Sequence, residues 1–123
     1  MASKKLLVIE DEVALLYALQ SKLSVEGFEV ITAENGEKAL QLLDDTVPHL
    51  IILDIMLPGI DGWEVLSKIR ENEALVEVPV IVLSNVSDNE SKGRGAKLGV
   101  KDYLVKVEFQ LDEIINKIKE LAG

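Results

Sequence analysis

The sequence predicts an α/β fold in which a parallel β-sheet carries helices on both faces. Two observations predict it. The first is a set of five short apolar runs, rich in branched residues and mostly continuous rather than alternating: Leu6–Ile9, Val30–Ala33, Leu50–Leu53, Val80–Leu83 and Tyr103–Val105. Runs of this kind are typical of strands buried on both faces. The second is that a segment with helical features lies between successive runs, which predicts right-handed crossovers between parallel strands.

The intervening segments have helical spacing and recognisable ends. The first helix is predicted from apolar residues that repeat every three or four positions: Val13, Leu16, Tyr17, Leu19 and Leu23. Asn35 and Asp61 are the predicted N-caps of the second and third helices. The fourth segment, Asp88–Leu98, contains Gly93 and Gly95, each costing about 1 kcal/mol in a helix interior, so we expect a short, easily displaced helix. Five such units predict a flavodoxin-like doubly wound (βα)5 fold with strand order 2-1-3-4-5.

Length and composition narrow the classes of protein that need to be considered. The 123 residues fit one domain over positions 1–123, with a core of about 4–121 and no room for an output domain. The absence of cysteine excludes disulfide scaffolds, thiolate metal sites and cysteine catalysis. A net charge of −9 argues against direct binding to nucleic acid or to anionic membranes. The N-terminal apolar run is too short for a signal peptide or a membrane span, so we expect a cytoplasmic location.

Polar residues follow the central strands at the edge where a doubly wound sheet places its functional crevice. Glu10 and Asp11 follow the first run, Asp54 the third, Ser84 the fourth and Lys106 the fifth. Carboxylates crowded there repel one another, and a positive group must offset the cost of burying them. That group is either Lys106 or a divalent cation. An all-oxygen donor set favours Mg²⁺, with Mn²⁺ or Ca²⁺ as substitutes, over zinc.

Each of these residues alone has an ordinary structural explanation. Acidic residues favour helix starts, and a serine at a loop or a solvated lysine is commonplace. Of the four strand ends, two supply carboxylates, one supplies a hydroxyl and one supplies an ammonium group. That combination predicts a site that binds a phosphoryl group.

Four motifs carry a family resemblance over roughly residues 4–121. They are Leu7–Glu12, Leu53–Gly62, Leu83–Ser84 and Gly99–Lys106. The second is the most specific, with an aspartate after an apolar strand followed by Ile-Met-Leu-Pro-Gly-Ile-Asp-Gly. The chain resembles the receiver domain of response regulators in two-component signalling systems.

The resemblance implies a phosphoryl-accepting signalling domain that catalyses its own phosphorylation and dephosphorylation. Asp54 is the implied phospho-acceptor, taking the phosphoryl group from a phosphohistidine on a sensor histidine kinase or a phosphotransfer protein. Asp11, Asp54 and the backbone carbonyl of Met56 are the implied Mg²⁺ ligands, with Glu10 binding directly or through a water. Lys106 is implied to offset charge on the phosphoryl oxygens.

Ser84 and Tyr103 are the implied switch residues. The Ser84 hydroxyl would bond the phosphoryl group, and Tyr103 would turn inward and relay the change to the surface of the fourth helix, fifth strand and fifth helix. The alternative for Tyr103 is a tyrosine packed at a sheet edge with a hydrated hydroxyl. The expected partner of that surface is a downstream protein, with no nucleic acid or membrane contact, and the chain is a monomer or a phosphorylation-dependent dimer.

Four positions near the site influence the chemistry or depart from the family pattern. Asn85 stands where a small residue is common, and Val107 replaces the usual proline after the lysine, so we expect no cis peptide bond there. Met56 and Val86 occupy the two positions that tune attack of water on the acyl phosphate. Because both are apolar, we expect slow autodephosphorylation.

Other functions fit the residues less well. A dehalogenase-type phosphatase needs a second aspartate where Met56 stands, and a flavodoxin-like electron carrier would not place acids after the first strand. A degenerate receiver would have lost Asp54 or Lys106. The fourth helical segment gathers basic residues that form either a solvated surface or a patch for an acidic partner: Lys92, Arg94, Lys97 and Lys101.

Overall fold

The computed structural model describes residues 3–122, so the expectations for the two chain ends, Met1 and Gly123, lie outside the described residues. Five parallel strands form one sheet in the order β2-β1-β3-β4-β5, as predicted. The strands are β1 (Lys5–Ile9), β2 (Glu29–Ala33), β3 (Leu50–Leu53), β4 (Val80–Ser84) and β5 (Asp102–Val105). The helices are α1 (Val13–Val25), α2 (Gly36–Asp45), α3 (Gly62–Glu71), α4 (Asn89–Lys97) and α5 (Leu111–Ala122), and a short 3-10 turn spans Lys106–Glu108. The fold is the predicted flavodoxin-like one.

The sheet separates two apolar layers because successive side chains of a strand point to opposite faces. In β1, Leu7 and Ile9 pack in the layer that also holds buried residues of α2 and α3. Leu6 and Val8 face the layer formed with α1 and α5. The central strands are buried on both sides, which explains why they read as continuous apolar runs.

The prediction of burial on both faces is wrong for β2. Glu29 is exposed and the next three residues are half-buried, since β2 is an edge strand with a neighbour on one side only. In α1, Val13 and Tyr17 are 45% and 52% exposed although they share the apolar repeat. The buried stripe of α1 is limited to Leu16, Leu19 and Leu23. No helix within residues 3–122 has the length and apolar content needed to cross a membrane.

The predicted helix caps are confirmed. The Asn35 side chain accepts a hydrogen bond from the Lys38 N–H, and Asp61 accepts one from Glu64. The weak fourth segment forms a nine-residue helix, capped by Asp88, whose one buried residue is Gly95. A helix with so small a buried surface is attached to the body of the domain by few apolar contacts.

Candidate functional site

Three carboxylates converge at the carboxyl edge of the sheet. In the register of β1 and β3, Ile9 lies beside Leu53, and the Asp54 N–H donates to the Ile9 carbonyl over 2.9 Å. This pairing places Glu10 and Asp54 side by side. One oxygen each from Glu10, Asp11 and Asp54 lies within 4.8 Å of the others. Glu10 and Asp54 are buried, whereas Asp11 is exposed, so the cluster opens to solvent on one side.

Lys106 offsets part of this negative charge. Its Nζ lies 2.9 Å from Asp54 Oδ2 and 2.7 Å from Glu10 Oε1, with Glu12 Oε2 further away at 3.9 Å. Burial lowers the pKa of Lys106, but the contacts with Glu10 and Asp54 outweigh burial and raise the pKa above its ordinary value. Lys106 is therefore a permanent cation of the site.

Glu10 is the group whose charge is most affected by its surroundings. Burial raises the pKa of Glu10 from 4.5 to about 7, and the nearby Asp54 carboxylate adds to the increase. The ammonium of Lys106 and the Glu12 N–H act in the opposite direction. Without a further positive charge, Glu10 holds a proton over much of the range below neutral pH.

Backbone donors fix the orientation of both buried carboxylates. The Met56 N–H donates to Asp54 Oδ1 over 3.0 Å, and the Glu12 N–H donates to Glu10 Oε2 over 3.0 Å. Each carboxylate thus has one oxygen held by the backbone and the other turned toward Lys106. The Met56 side chain itself is 63% exposed and makes none of these contacts.

The donor set fits a hard divalent cation. Glu10 Oε1 is fully buried, and within the described residues its one charged partner is the Lys106 ammonium, which Asp54 shares. One ammonium faces three carboxylates, which leaves the cluster negative. Carboxylate oxygens without nitrogen or sulfur donors are the ligands that Mg²⁺ prefers. These residues are suited to holding Mg²⁺.

Ser84 and Tyr103 belong to a second, connected group of contacts. The fully buried Ser84 hydroxyl accepts the Val86 N–H over 3.3 Å, and the Tyr103 hydroxyl donates to the Val86 carbonyl over 2.6 Å. Burial, together with the Asp88 and Asp54 charges, raises the pKa of Tyr103. The Tyr103 hydroxyl is thus bonded to the backbone rather than free in water.

The remaining predicted site residues lie around the rim of the cleft. Asn85 is exposed, Val86 is half-buried, and no hydrogen bond joins Ser84 to Asp54 among residues 3–122. Val107 is 81% exposed, and no peptide bond in the described chain is cis, as expected without the proline. The single histidine, His49, bonds the Lys5 N–H at the opposite edge of the sheet.

Sequence reasoning missed the part that Gly62 plays. A Cβ on Gly62 would lie 2.4 Å from the Asp54 carbonyl oxygen and from Ile55 Cα, so only glycine lets the start of α3 approach this closely. The Asp61-Gly62 pair in the most specific motif was the sequence feature that could have indicated this role.

The Arg94 guanidinium lies 4.5 Å from the centroid of the Trp63 ring. No feature of the sequence predicted this contact.

Comparison of the sequence with protein families identifies one family. The family model of the response regulator receiver domain matches residues 6–119. A probable transcriptional regulator, ycf27, from Porphyridium aerugineum is 39% identical over 98% of this chain and 49% of its own length. The chain therefore spans about half the length of this curated relative.

Solved structures agree. The phosphorylated cyanobacterial phytochrome response regulator RcpA superposes with a TM-score of 0.89 at 32% identity, covering 98% of this chain and 94% of its own. The response regulator TrrA from Thermotoga maritima, in complex with Mg²⁺ and BeF, gives 0.81 at 37% identity over 96% and 98% of the two chains. The chain belongs to the response regulator receiver domains, which are phosphorylated in two-component signalling.

Proposed function

We propose that Asp54 is the phosphoryl acceptor of this receiver domain. The observation that carries the proposal is the placement of Asp54: a buried carboxylate at the end of β3, held by the Met56 N–H on one oxygen and by Lys106 on the other. Glu10 and Asp11 lie beside it. Asp11 is too exposed to match this environment, and burial raises the pKa of Glu10 to about 7.

The proposed reaction moves one phosphoryl group between two side chains. A carboxylate oxygen of Asp54 attacks the phosphorus of a phosphohistidine on a sensor histidine kinase or a phosphotransfer protein. A phosphorus–oxygen bond forms as the phosphorus–nitrogen bond breaks, and the electron pair of the broken bond stays on the imidazole nitrogen, which takes up a proton. Such transfer depends mainly on positioning and on neutralising charge, which a small domain can supply without being a classical enzyme.

The proposed Mg²⁺ ligands are Asp11, Asp54 and the Met56 backbone carbonyl, with Glu10 binding directly or through a water. When bound, the ion supplies positive charge that lowers the repulsion between these carboxylates and an incoming phosphoryl group. Mn²⁺ and Ca²⁺ are the proposed substitutes, since both accept all-oxygen donor sets.

Lys106 and Ser84 are the proposed contacts of the phosphoryl oxygens. Lys106 already touches Asp54, so its ammonium is placed to share charge with an oxygen transferred to that carboxylate. Ser84 is buried at the end of β4, and among residues 3–122 its hydroxyl bonds only the Val86 N–H. Turning its hydroxyl toward a phosphoryl group would pull the loop after β4 inward.

The proposed relay runs from Ser84 through Val86 to Tyr103. Because the Tyr103 hydroxyl bonds the Val86 carbonyl, a movement of this loop must lengthen, break or carry along that hydrogen bond. Tyr103 lies on β5, and its ring is among the nearest neighbours of Gly95 in α4. Phosphorylation would therefore change the conformation of the surface formed by α4, β5 and α5, and a downstream protein would bind that changed surface.

Met56, Asn85 and Val86 are the proposed tuning residues for loss of the phosphoryl group. The Met56 side chain is exposed in the loop after β3, and Val86 is half-buried in the loop after β4. Two apolar side chains offer no hydrogen bond to orient an attacking water, so slow self-catalysed dephosphorylation is proposed. The exposed amide of Asn85 adds bulk where a small residue would leave the approach open.

Residues 4–121 are proposed to form a single receiver domain whose direct partners are proteins. The curated relative from Porphyridium is named as a probable transcriptional regulator, and this chain spans about half of it. The net charge of −9 supports a protein rather than DNA as the direct partner of these residues.

The proposal is tested by intact-mass spectrometry after incubation with acetyl phosphate and Mg²⁺. We expect the mass of one phosphoryl group on the native chain and none on Asp54→Asn. Asp11→Asn, which keeps Asp54 but removes a metal ligand, should slow the addition strongly. Equal labelling of the native chain and Asp54→Asn would overturn the proposal.

A further inference from the structure

A cleft of about 670 Å³ opens at the edge of the sheet opposite the carboxylate cluster. Its walls are the loop before β4, which contains Val76 and Glu77, and the end of α4 with the loop that follows it, which contains Lys97 and Lys101. Since β4 and β5 begin here, the cleft lies at their amino ends, a full strand length from Asp54. Nothing in the proposed phosphoryl chemistry uses it.

Arg70 forms the base of this cleft and holds its two walls together. Nε donates to the Leu98 carbonyl over 2.8 Å and Nη2 to the Gly99 carbonyl over 3.3 Å. Nη1 donates to the carbonyls of Val76 and Val78 over 3.2 and 2.9 Å. A guanidinium has five N–H groups, so one remains without an acceptor among residues 3–122. Because Arg70 bonds the backbone of both walls, the shape of the cleft is fixed by the fold.

The charges around the cleft are mainly positive and unpaired. Lys97 and Lys101 are exposed at its rim, and neither they nor Arg70 take part in an ion pair within the described residues. Glu77 is the one acidic residue of the lining. This excess of positive charge stands on a chain whose net charge is −9, and no acid occurs between positions 91 and 101.

The cleft also offers apolar surface. Val76 is 43% exposed, and Leu98 and Val100 are half-buried in the lining. The volume of about 670 Å³ exceeds what one inorganic phosphate would fill. Cationic groups beside partly exposed apolar side chains match a segment in which carboxylate side chains are interspersed with apolar ones.

We propose that this cleft docks an acidic, partly apolar segment of a partner protein. Carboxylates of the segment would pair with Lys97 and Lys101, and the spare N–H of Arg70 would take a further oxygen. The site is independent of Asp54 and of phosphorylation, so it goes beyond the receiver function and is testable on the unphosphorylated chain.

The test is an NMR titration of the full, isotope-labelled, unphosphorylated chain with a short peptide of alternating glutamate and leucine residues. We expect amide shifts concentrated at residues 76–79 and 97–101. The double variant Lys97→Glu/Lys101→Glu should weaken binding by about tenfold or more. The matched variant Lys38→Glu/Lys68→Glu makes the same charge change at two exposed sites on α2 and α3 and should weaken binding by less than about twofold. Unchanged amide dispersion in both variants shows that they remain folded.

Several results would overturn the proposal. These are an absence of binding, shifts centred away from the cleft, or equal losses in the two double variants. Inorganic phosphate producing the same shifts at equal charge concentration would identify a free-anion site instead. Tighter binding of a short oligothymidylate through the same residues would identify a nucleic acid as the ligand.

Discussion

Lys106 Nζ lies 2.9 Å from Asp54 Oδ2, although the two residues are 52 positions apart in the chain. The strands that end at these residues, β3 and β5, are not neighbours, since β4 lies between them. The Lys106 side chain therefore reaches across the end of β4 to Asp54. Its ammonium also lies 2.7 Å from Glu10 Oε1. The fold supplies one positive charge to the carboxylate cluster before any cation binds.

Replacing Lys106 tests two effects of its ammonium, one on the stability of the fold and one on the affinity of the carboxylate cluster for Mg²⁺. With a metal chelator present, we expect Lys106→Met to lower the free energy of unfolding by about 2–4 kcal/mol, because two buried carboxylates lose their counter-charge. With Mg²⁺ added, the variant should bind the ion more tightly than the native chain, since no ammonium competes for the same oxygens. Urea unfolding at several Mg²⁺ concentrations measures both quantities.

Lys22→Met is the matched control for that experiment. Lys22 pairs with Asp112 at 3.3 Å on the surface, and its loss should change the free energy of unfolding by less than about 1 kcal/mol. Weaker Mg²⁺ binding by Lys106→Met than by the native chain would contradict the electrostatic account of the cluster.

The raised pKa of Glu10 leads us to expect a specific pH dependence of the free energy of unfolding in the absence of divalent cations. Its pKa is about 7 in the folded chain and 4.5 ordinarily, so between these values the folded state holds a proton that the unfolded state has released. The free energy of unfolding should therefore fall as pH rises from about 4.5 to about 7, by roughly 1–3 kcal/mol. Glu10→Gln, which cannot ionise, should remove this fall. A slope that persists in Glu10→Gln would assign it to another group.

Alanine substitutions at Gly62 and Gly93 are expected to change the free energy of unfolding in opposite directions. Gly62→Ala forces a Cβ against the Asp54 carbonyl and Ile55, and should destabilise the fold by about 1–3 kcal/mol while slowing phosphorylation. Gly93 lies in α4 with open space where a Cβ would be, so Gly93→Ala should stabilise by about 0.5–1 kcal/mol. Thermal unfolding of the two variants measures these effects, and destabilisation of similar size in both would contradict the steric account.

Trp63 reports on the position of α4. Its ring is nearly buried, and the Arg94 guanidinium lies 4.5 Å from the ring centroid. Arg94→Ala should uncover the ring, shift its emission to longer wavelength and cost about 0.5–1 kcal/mol of stability. Lys92→Ala, which removes a charge from the same helix, should leave the emission unchanged. Identical spectra for Arg94→Ala and the native chain would show that this contact does not form in solution.

The strands and the residues that follow them could be predicted because they depend on chain-local signals, and the strand order then followed from the rule for doubly wound sheets. Apolar runs of three or four residues mark the strands, and the residue after each run lies at the carboxyl edge of the sheet. Side-chain contacts across the fold could not be predicted this way. The link from Tyr103 to Val86, and the capture of four carbonyls by Arg70, depend on how loops pack after the sheet has formed. The exposure of β2 follows from its edge position, which residue type alone does not reveal.

The most direct test of the central proposal is to locate the phosphoryl group on the chain. Borohydride reduces an aspartyl phosphate to homoserine, and peptide sequencing by mass spectrometry identifies the position that has changed. After treatment with acetyl phosphate and Mg²⁺, we predict homoserine at position 54 and at no other aspartate. Reduction at position 11, or at none of the aspartates, would contradict the assignment of Asp54 as the acceptor.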